Sequence, residues 1–184
     1  MSLFEYDQHL LELINHNRIR SLDYFFILIT NTTYLVALLV PGFILLYSYL
    51  KKDLSLKIKA WQIVASLAFN SIIITILKYT INRQRPFVID KYIEKLSTGG
   101  SPSFPSGHTS DAFLIATCMT ILFNKNKWLL FLIWIWAFVV AYTRLALGVH
   151  YPSDVIGAII IGMSNAIIVN RIFTKKITTK TNNG

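Results

Sequence analysis

Three short stretches of this chain set cations and imidazoles beside helix-breaking residues. They are Lys78 to Pro86 (KYTINRQRP), Pro105 to His108 (PSGH) and Thr143 to Asp154 (TRLALGVHYPSD). The residue types fit phosphoryl transfer. A phosphoryl group in transfer spreads negative charge over its equatorial and leaving oxygens, and Lys78, Arg85 and Arg144 supply three positive charges, two of them bidentate. Ser106 reads as the N-cap of a helix that Gly107 opens. Free N–H groups at such a start attract anions, and a glycine lets the ligand approach the backbone closely. Pro152, Ser153 and Asp154 open a second helix in the same style. Of the two imidazoles, His150 lies four residues before Asp154, whose carboxylate can fix its tautomer and so make it a nucleophile. His108 is then free to protonate a leaving alkoxide. Asp111, one turn after His108, is either a first-turn carboxylate facing the helix dipole or a group that keeps His108 protonated.

These motifs need elements that bring them to one place. The chain has 184 residues, 54% hydrophobic and only 15% charged, where soluble domains carry about 25% charged residues. Long apolar runs cover about 22–50, 58–81, 128–147 and 153–173, and a shorter one covers 108–123. A helix needs about 20 apolar residues to span a bilayer core. The expected fold is therefore all-α: an integral membrane helical bundle of about five spanning helices in one domain, 1–184. Pro41-Gly42 permits a kink or break in the first span. Residues 1–20 are too polar for a signal peptide, so insertion is expected to rest on the spans themselves. Phe4, Leu10, Leu11 and Ile14 fall near helical spacing and suggest an amphipathic segment lying in the interface.

With five spans, the loops sort by charge. Lys51, Lys52, Lys57 and Lys59, then Lys125 and Lys127, then Arg171, Lys175, Lys176 and Lys180 share one side, the cytoplasmic one by the positive-inside rule. The loop 82–107 and the turn at 148–152 fall on the other, with the N-terminus, and residues 174–184 form a polar tail. The net charge of +9 reflects lysines at the ends of apolar runs, which meet lipid headgroups. No basic stripe interleaved with aromatics marks a nucleic-acid partner. Cys118 lies alone inside an apolar run, and no His/Asp/Glu cluster has metal spacing, so neither a metal nor a cofactor is expected. Ala158, Gly162 and Ala166 recur every four residues, a pattern for close packing within the bundle or, alternatively, for a homodimer seam. Asn70 and Asn165 sit inside spans, where they can hydrogen-bond between helices.

The order and spacing of the three motifs resemble the signature of the type 2 phosphatidic acid phosphatase superfamily, which the vanadium-dependent haloperoxidases share. The resemblance runs from Lys78 to Asp154. It implies His150 as nucleophile, Asp154 as its partner and His108 as acid. It further implies that Lys78, Arg85, Arg144, Ser106 and Gly107 bind phosphate. Thr143 stands where the family usually has serine and keeps a hydroxyl there. The implied function is hydrolysis of a lipid phosphomonoester or pyrophosphate through a phosphohistidine, with a phosphotransferase or a haloperoxidase-like enzyme as alternatives. The implied setting is a bacterial inner membrane, with the site on the periplasmic or extracellular face. Within the 82–107 loop, Lys91 and Lys95 are expected to meet a second phosphate or an anionic headgroup, or else only bulk anionic lipid, and residues 98–101 to supply flexibility for closure.

Overall fold

A computed structural model describes residues 2–182, with side chains through Lys175. Seven helices follow one another: α1 (Leu3–His16), α2 (Asp23–Lys51), α3 (Leu54–Ile81), α4 (Pro86–Ile89), α5 (Gly107–Leu122), α6 (Lys127–Ala146) and α7 (Pro152–Asn182). Their starts are chemically marked. Ser2 and Glu5 form a reciprocal capping box at α1, and the side chains of Asp53 and Asn126 accept from backbone N–H groups of the first turns of α3 and α6. At the far end of α3, Asn82 takes the left-handed conformation that stops the helix.

Four stretches are long and apolar enough to cross a membrane: Arg20–Lys51, Leu54–Ile89, Lys127–Ala146 and Pro152–Lys175. The chain is an integral membrane protein. The short third run, α5, has 16 residues, about 24 Å of helix, less than a bilayer core of about 30 Å. It is instead the centre of the bundle. Two hydrophobic clusters share it: Leu114, Ile115, Cys118 and Met119 meet Ile63, Leu130 and Ala166, while Ala112, Phe113 and Ala116 meet Ala137, Val140 and Val155. A helix apolar all round belongs inside, and longer neighbours shield α5. By contrast α2 leaves Leu35, Leu38, Leu39 and Phe43 exposed, a face for lipid.

Several expectations change in detail. Pro41 lies inside an unbroken α2, so the break it permits is not taken. The second span starts at Leu54, and the 82–107 segment contains α4. Helix α7 continues to Asn182 where a polar tail was expected, and the side chains of Lys176 and Lys180 lie outside the described residues. At the basic end, Lys59 reaches over the Phe123 ring at 5.1 Å, which sets the start of α3 beside the end of α5.

Helix α1 docks through a mixed face, on which Leu11 packs with Ile93 and Tyr151 among polar residues. Asp7, Leu11, Asn15 and, beyond the helix, Arg18 are buried, whereas Leu3, Phe4 and Leu13 are exposed. Asn15 donates to Ala146 O (2.8 Å) and Glu94 O (3.2 Å) and accepts from Glu94 N (2.9 Å), and Arg18 pairs with Asp23 and Glu94. Gly148, at φ +69°, makes this fit possible: a Cβ there would lie 2.4 Å from Glu94 O.

The small-residue stripe of α7 is spent inside the chain. Ala158 and Ala166 are fully buried, and a Cβ on Gly162 would lie 2.2 Å from the Ser110 carbonyl oxygen of α5. Just there, Asn70 accepts from Ser110 Oγ and Asn165 Nδ2 (2.9 Å each) and donates to Asp111 Oδ1 (2.8 Å), joining α3, α5 and α7. Gly162→Ala must separate α5 from α7. The expected loss is about 1–3 kcal/mol, read as a lower Tm in detergent, while Gly42→Ala, which meets nothing within 4 Å, leaves Tm within about a degree of wild type.

Candidate active site

The end of α3, the start of α5, the end of α6 and the start of α7 meet at one end of the bundle around a cavity of about 260 Å³. Lys78, Arg85, Gly107, His108, Arg144 and His150 line it, with Tyr34 of α2 and residues 98–101. No carboxylate lines it among the described residues. Pockets for drug-sized ligands run to roughly 300–1,000 Å³, so this space suits a smaller group.

Like charges so close must be held by neutral acceptors, and carbonyl oxygens supply them. Lys78 Nζ donates to Pro102 O (2.6 Å). Arg85 donates through Nε to Ser101 O (2.7 Å) and through Nη1 to Val149 O (2.9 Å). Arg144, which is 1% exposed, donates through Nη1 to Thr30 Oγ1 (2.8 Å), while its Nε is buried without a partner. Each cation is thus fixed from behind with N–H groups left for an anion.

His150 sits between two opposite charges. Its Nδ1 lies 3.5 Å from Asp154 Oδ2, ion-pair distance but long for a hydrogen bond, and Nδ1 has no closer partner. The gap has a cause: Asp154 Oδ2 already accepts from Ser103 Oγ and from Tyr151 N (2.9 Å). On the other edge, Arg85 Nη1 stands 3.4 Å from Nε2. The guanidinium at Nε2 and the Asp154 carboxylate at Nδ1 together favour the tautomer with the lone pair on Nε2 and the ring proton on Nδ1. Burial, with the charges of Arg144 and Arg85, pushes the imidazole down to about 3 against the pull of Asp154, which favours the neutral ring. The His108 ring stands edge-on to Tyr34, centroids 4.7 Å apart.

Residues 59–178 match the PAP2 superfamily. The chain belongs to that superfamily. A lipid A 4'-phosphatase of Bacteroides thetaiotaomicron is 42% identical to this PAP2 chain over 81 residues, 44% of this chain and 36% of that protein. The undecaprenyl-diphosphatase BcrC of Bacillus subtilis is 33% identical over 89 residues, 48% of this chain and 42% of that protein. These matches span less than half the length of the two curated relatives. The crystal structure of Aquifex aeolicus LpxE superposes with a TM-score of 0.70 at 29% identity, over 89% of this chain and 93% of that one.

Three residues singled out from the sequence stand off the cavity. Ser106 and Thr109 share a side-chain hydrogen bond (2.9 Å), Thr143 Oγ1 donates to Val140 O of its own helix (2.6 Å), and Asp111 is engaged by Asn70. Lys91 and Lys95 do not line it either, and Lys95 Nζ lies 4.2 Å over the Phe87 ring. Conversely, Thr30, Tyr34, Arg83 and Ser103 enter the site or its backing unannounced. Thr30 and Tyr34 are remote from the motifs in sequence, and no local pattern marks them. Arg83 lies inside the first motif, two residues before Arg85, and was legible there only as one more basic residue on that face.

The segment 98–101 is a wall of the cavity. A Cβ on Gly99 would come within 2.6 Å of Arg85 Nη1, whereas one on Gly100 meets nothing within 4 Å. Gly99→Ala therefore displaces the Arg85 guanidinium. Orthovanadate, a mimic of the transferring phosphoryl group, is expected to bind about tenfold more weakly to it, the worth of one charged hydrogen bond. Gly100→Ala should bind as wild type does; equal losses in both variants would show that chain stiffness, not contact with Arg85, is what matters.

Proposed function

We propose that this chain is a membrane lipid phosphatase that removes phosphate from a lipid phosphomonoester or pyrophosphate through a phosphohistidine on His150. The observation that carries this reading is the cavity itself: three cations and two imidazoles converge on a headgroup-sized space with no carboxylate to neutralise them. Both curated relatives described above are phosphatases or diphosphatases by name, which supports the same reaction class.

In the proposed cycle, Lys78, Arg85 and Arg144 neutralise the phosphate oxygens, with the N–H groups at the Gly107 end of α5. His150 Nε2 attacks phosphorus. The P–N bond forms as the bond to the lipid-side oxygen breaks, and His108 gives that oxygen its proton. Asp154 stabilises the positive charge on the phosphorylated ring through Nδ1–H. Water, deprotonated by His108, then attacks phosphorus, breaks the P–N bond and releases inorganic phosphate. An acceptor lipid in place of water would make the same site a phosphotransferase. Ser106, Thr143 and Asp111 act in this reading by shaping the backbone around the site.

We place residues 1–184 in one phosphatase domain of a bacterial inner membrane, with the cavity on the periplasmic or extracellular face. The basic end at Lys51, Lys52, Lys57, Lys59, Lys125 and Lys127 faces the cytoplasm. The exposed Leu3, Phe4 and Leu13 of α1 lie in the outer interface. The substrate is a lipid phosphate and the surroundings are membrane lipid; nucleic acid has no part, and a homodimer is not required, because the small-residue stripe of α7 is used against α5.

His150→Ala is expected to lose at least about 1,000-fold in kcat on lipid phosphates in detergent. It should also lose the acid-labile, base-stable phosphoenzyme that the wild type forms with radioactive substrate. EDTA should leave the wild-type rate unchanged. Retention of the label in the variant would overturn the covalent step, and inactivation by EDTA reversed by a divalent ion would overturn the metal-free one.

A further inference from the structure

Behind His150, on the side away from the cavity, lies a buried relay of charge that the proposed cycle does not use. Arg83 Nη1 donates to Asp154 Oδ1 (2.6 Å) and to Ser153 Oγ (2.7 Å), and Arg83 Nη2 donates to Asp7 Oδ2 (2.7 Å). Asp7 in turn accepts from Ser153 N (2.8 Å) and Ser153 Oγ. A carboxylate of α1 thereby caps the first turn of α7, the helix that carries Asp154. The Asp7 and Asp154 side chains are 7% and 0% exposed, and the guanidinium between them lies 3.9 Å from the centre of the Tyr151 ring. Phe4 packs on the same ring at 5.9 Å between centroids. No residue of α1 lines the cavity, so this helix stands behind the nucleophile and does not cover the substrate.

We propose that Arg83 and Asp7 are positioning residues for the nucleophile: Arg83 holds Asp154 against His150, and Asp7 divides the charge of Arg83 so that Asp154 keeps enough of its own for the imidazole. The inference rests on the phosphohistidine reading of the site for its kinetic consequences. Asp154 Oδ1 has one partner, Arg83, and Oδ2 is shared among Ser103, Tyr151 N and His150. Ser103 and Tyr151 N anchor Oδ2, and the Arg83 bond at Oδ1 fixes the remaining rotation of the carboxylate about that anchor. Planar and forked, a guanidinium can bridge two carboxylates and Ser153 at once, and an ammonium cannot. Asp7 matters by charge. With a neutral group at position 7, the whole charge of Arg83 falls on Asp154 and draws it from His150, whose Nδ1 is already 3.5 Å away.

The test separates positioning from simple anchoring of α1. In full-length protein, Arg83→Lys and Arg83→Met are expected to lower kcat about 100-fold, as a small misplacement of a reacting group does, with KM within about twofold. Asp7→Asn keeps the shape and a hydrogen-bond acceptor for Ser153, and is expected to lower kcat about tenfold. The double variant Asp7→Asn with Arg83→Met should be no worse than Arg83→Met, because one path carries both effects. Losses that multiply in the double variant, losses confined to KM, or unchanged kcat would sink the proposal.

A second readout needs no turnover and survives a variant too unstable to assay. Nitrogen-15 NMR of labelled histidines is expected to show His150 as the Nδ1–H tautomer in wild type and as a mixture in Arg83→Lys and Asp7→Asn. An unchanged tautomer in both variants overturns the relay even if α1 loosens. Failure of the phosphatase reading is seen separately, as a phosphoenzyme label that His150→Ala does not remove.

Discussion

The site depends on holding three cations around one cavity without a carboxylate among them. Ion pairing would be the simple way to bury Lys78, Arg85 and Arg144, but a carboxylate in the cavity would compete with an anionic ligand. The fold uses carbonyl oxygens and one hydroxyl instead. Pro102 O, Ser101 O, Val149 O and Thr30 Oγ1 each take a donor. Neutral acceptors of this kind orient a cation and leave its charge largely uncompensated, which suits the site to an anionic group.

That constraint explains the long connection after α3. Its residues 98–102 provide two of the four acceptors and a wall of the cavity, and Ser103 adds a donor to Asp154. The connection is tied at several points: Leu96 N donates to Leu147 O and Ser103 N to Arg83 O, and α1 is bonded to Glu94 through Asn15. Gly99 lies against Arg85 because the guanidinium leaves no room for a side chain. A segment that reads as a hinge by composition is held as a support by its contacts.

Carboxylates are placed behind the site. Asp154 and Asp7 sit on the far side of His150 with Arg83 between them. In the proposed cycle the arrangement separates two electrostatic jobs: the front attracts an anion, and the back stabilises a ring that would become positive when phosphorylated. Helix α5 lets both exist at close range. It is short and fully enclosed by α2, α3, α6 and α7, so its first turn opens at the site while its body fills the core.

The sequence alone determined which cations and imidazoles stand at the front. Lys78, Arg85, His108, Arg144 and His150 are tied to helix ends by local signals (Asn82, the Pro105–Gly107 start, Pro152), and helix ends of alternating spans must fall on alternating sides. Their gathering at one end also needs α5, too short to count among the four long apolar spans, to run antiparallel to α3 between its end and the start of α6, as the Lys59–Phe123 contact shows. What only the tertiary structure decided is what holds them. Thr30, Tyr34 and Asp7 come from segments far from the motifs, Ser103 stands two residues before one of them, and the contacts that recruit all four depend on how α1, α2 and the 82–107 connection pack. Neighbouring residues fix none of this. The same reason governs α1, whose apolar residues are easy to see in the sequence. Leu11 is buried beside Ile93 and Tyr151, but Asp7 and Asn15 on the same face, with Arg18 just beyond the helix, dock through hydrogen bonds and ion pairs, and a hydrophobic pattern carries no record of a partner that binds by hydrogen bonds.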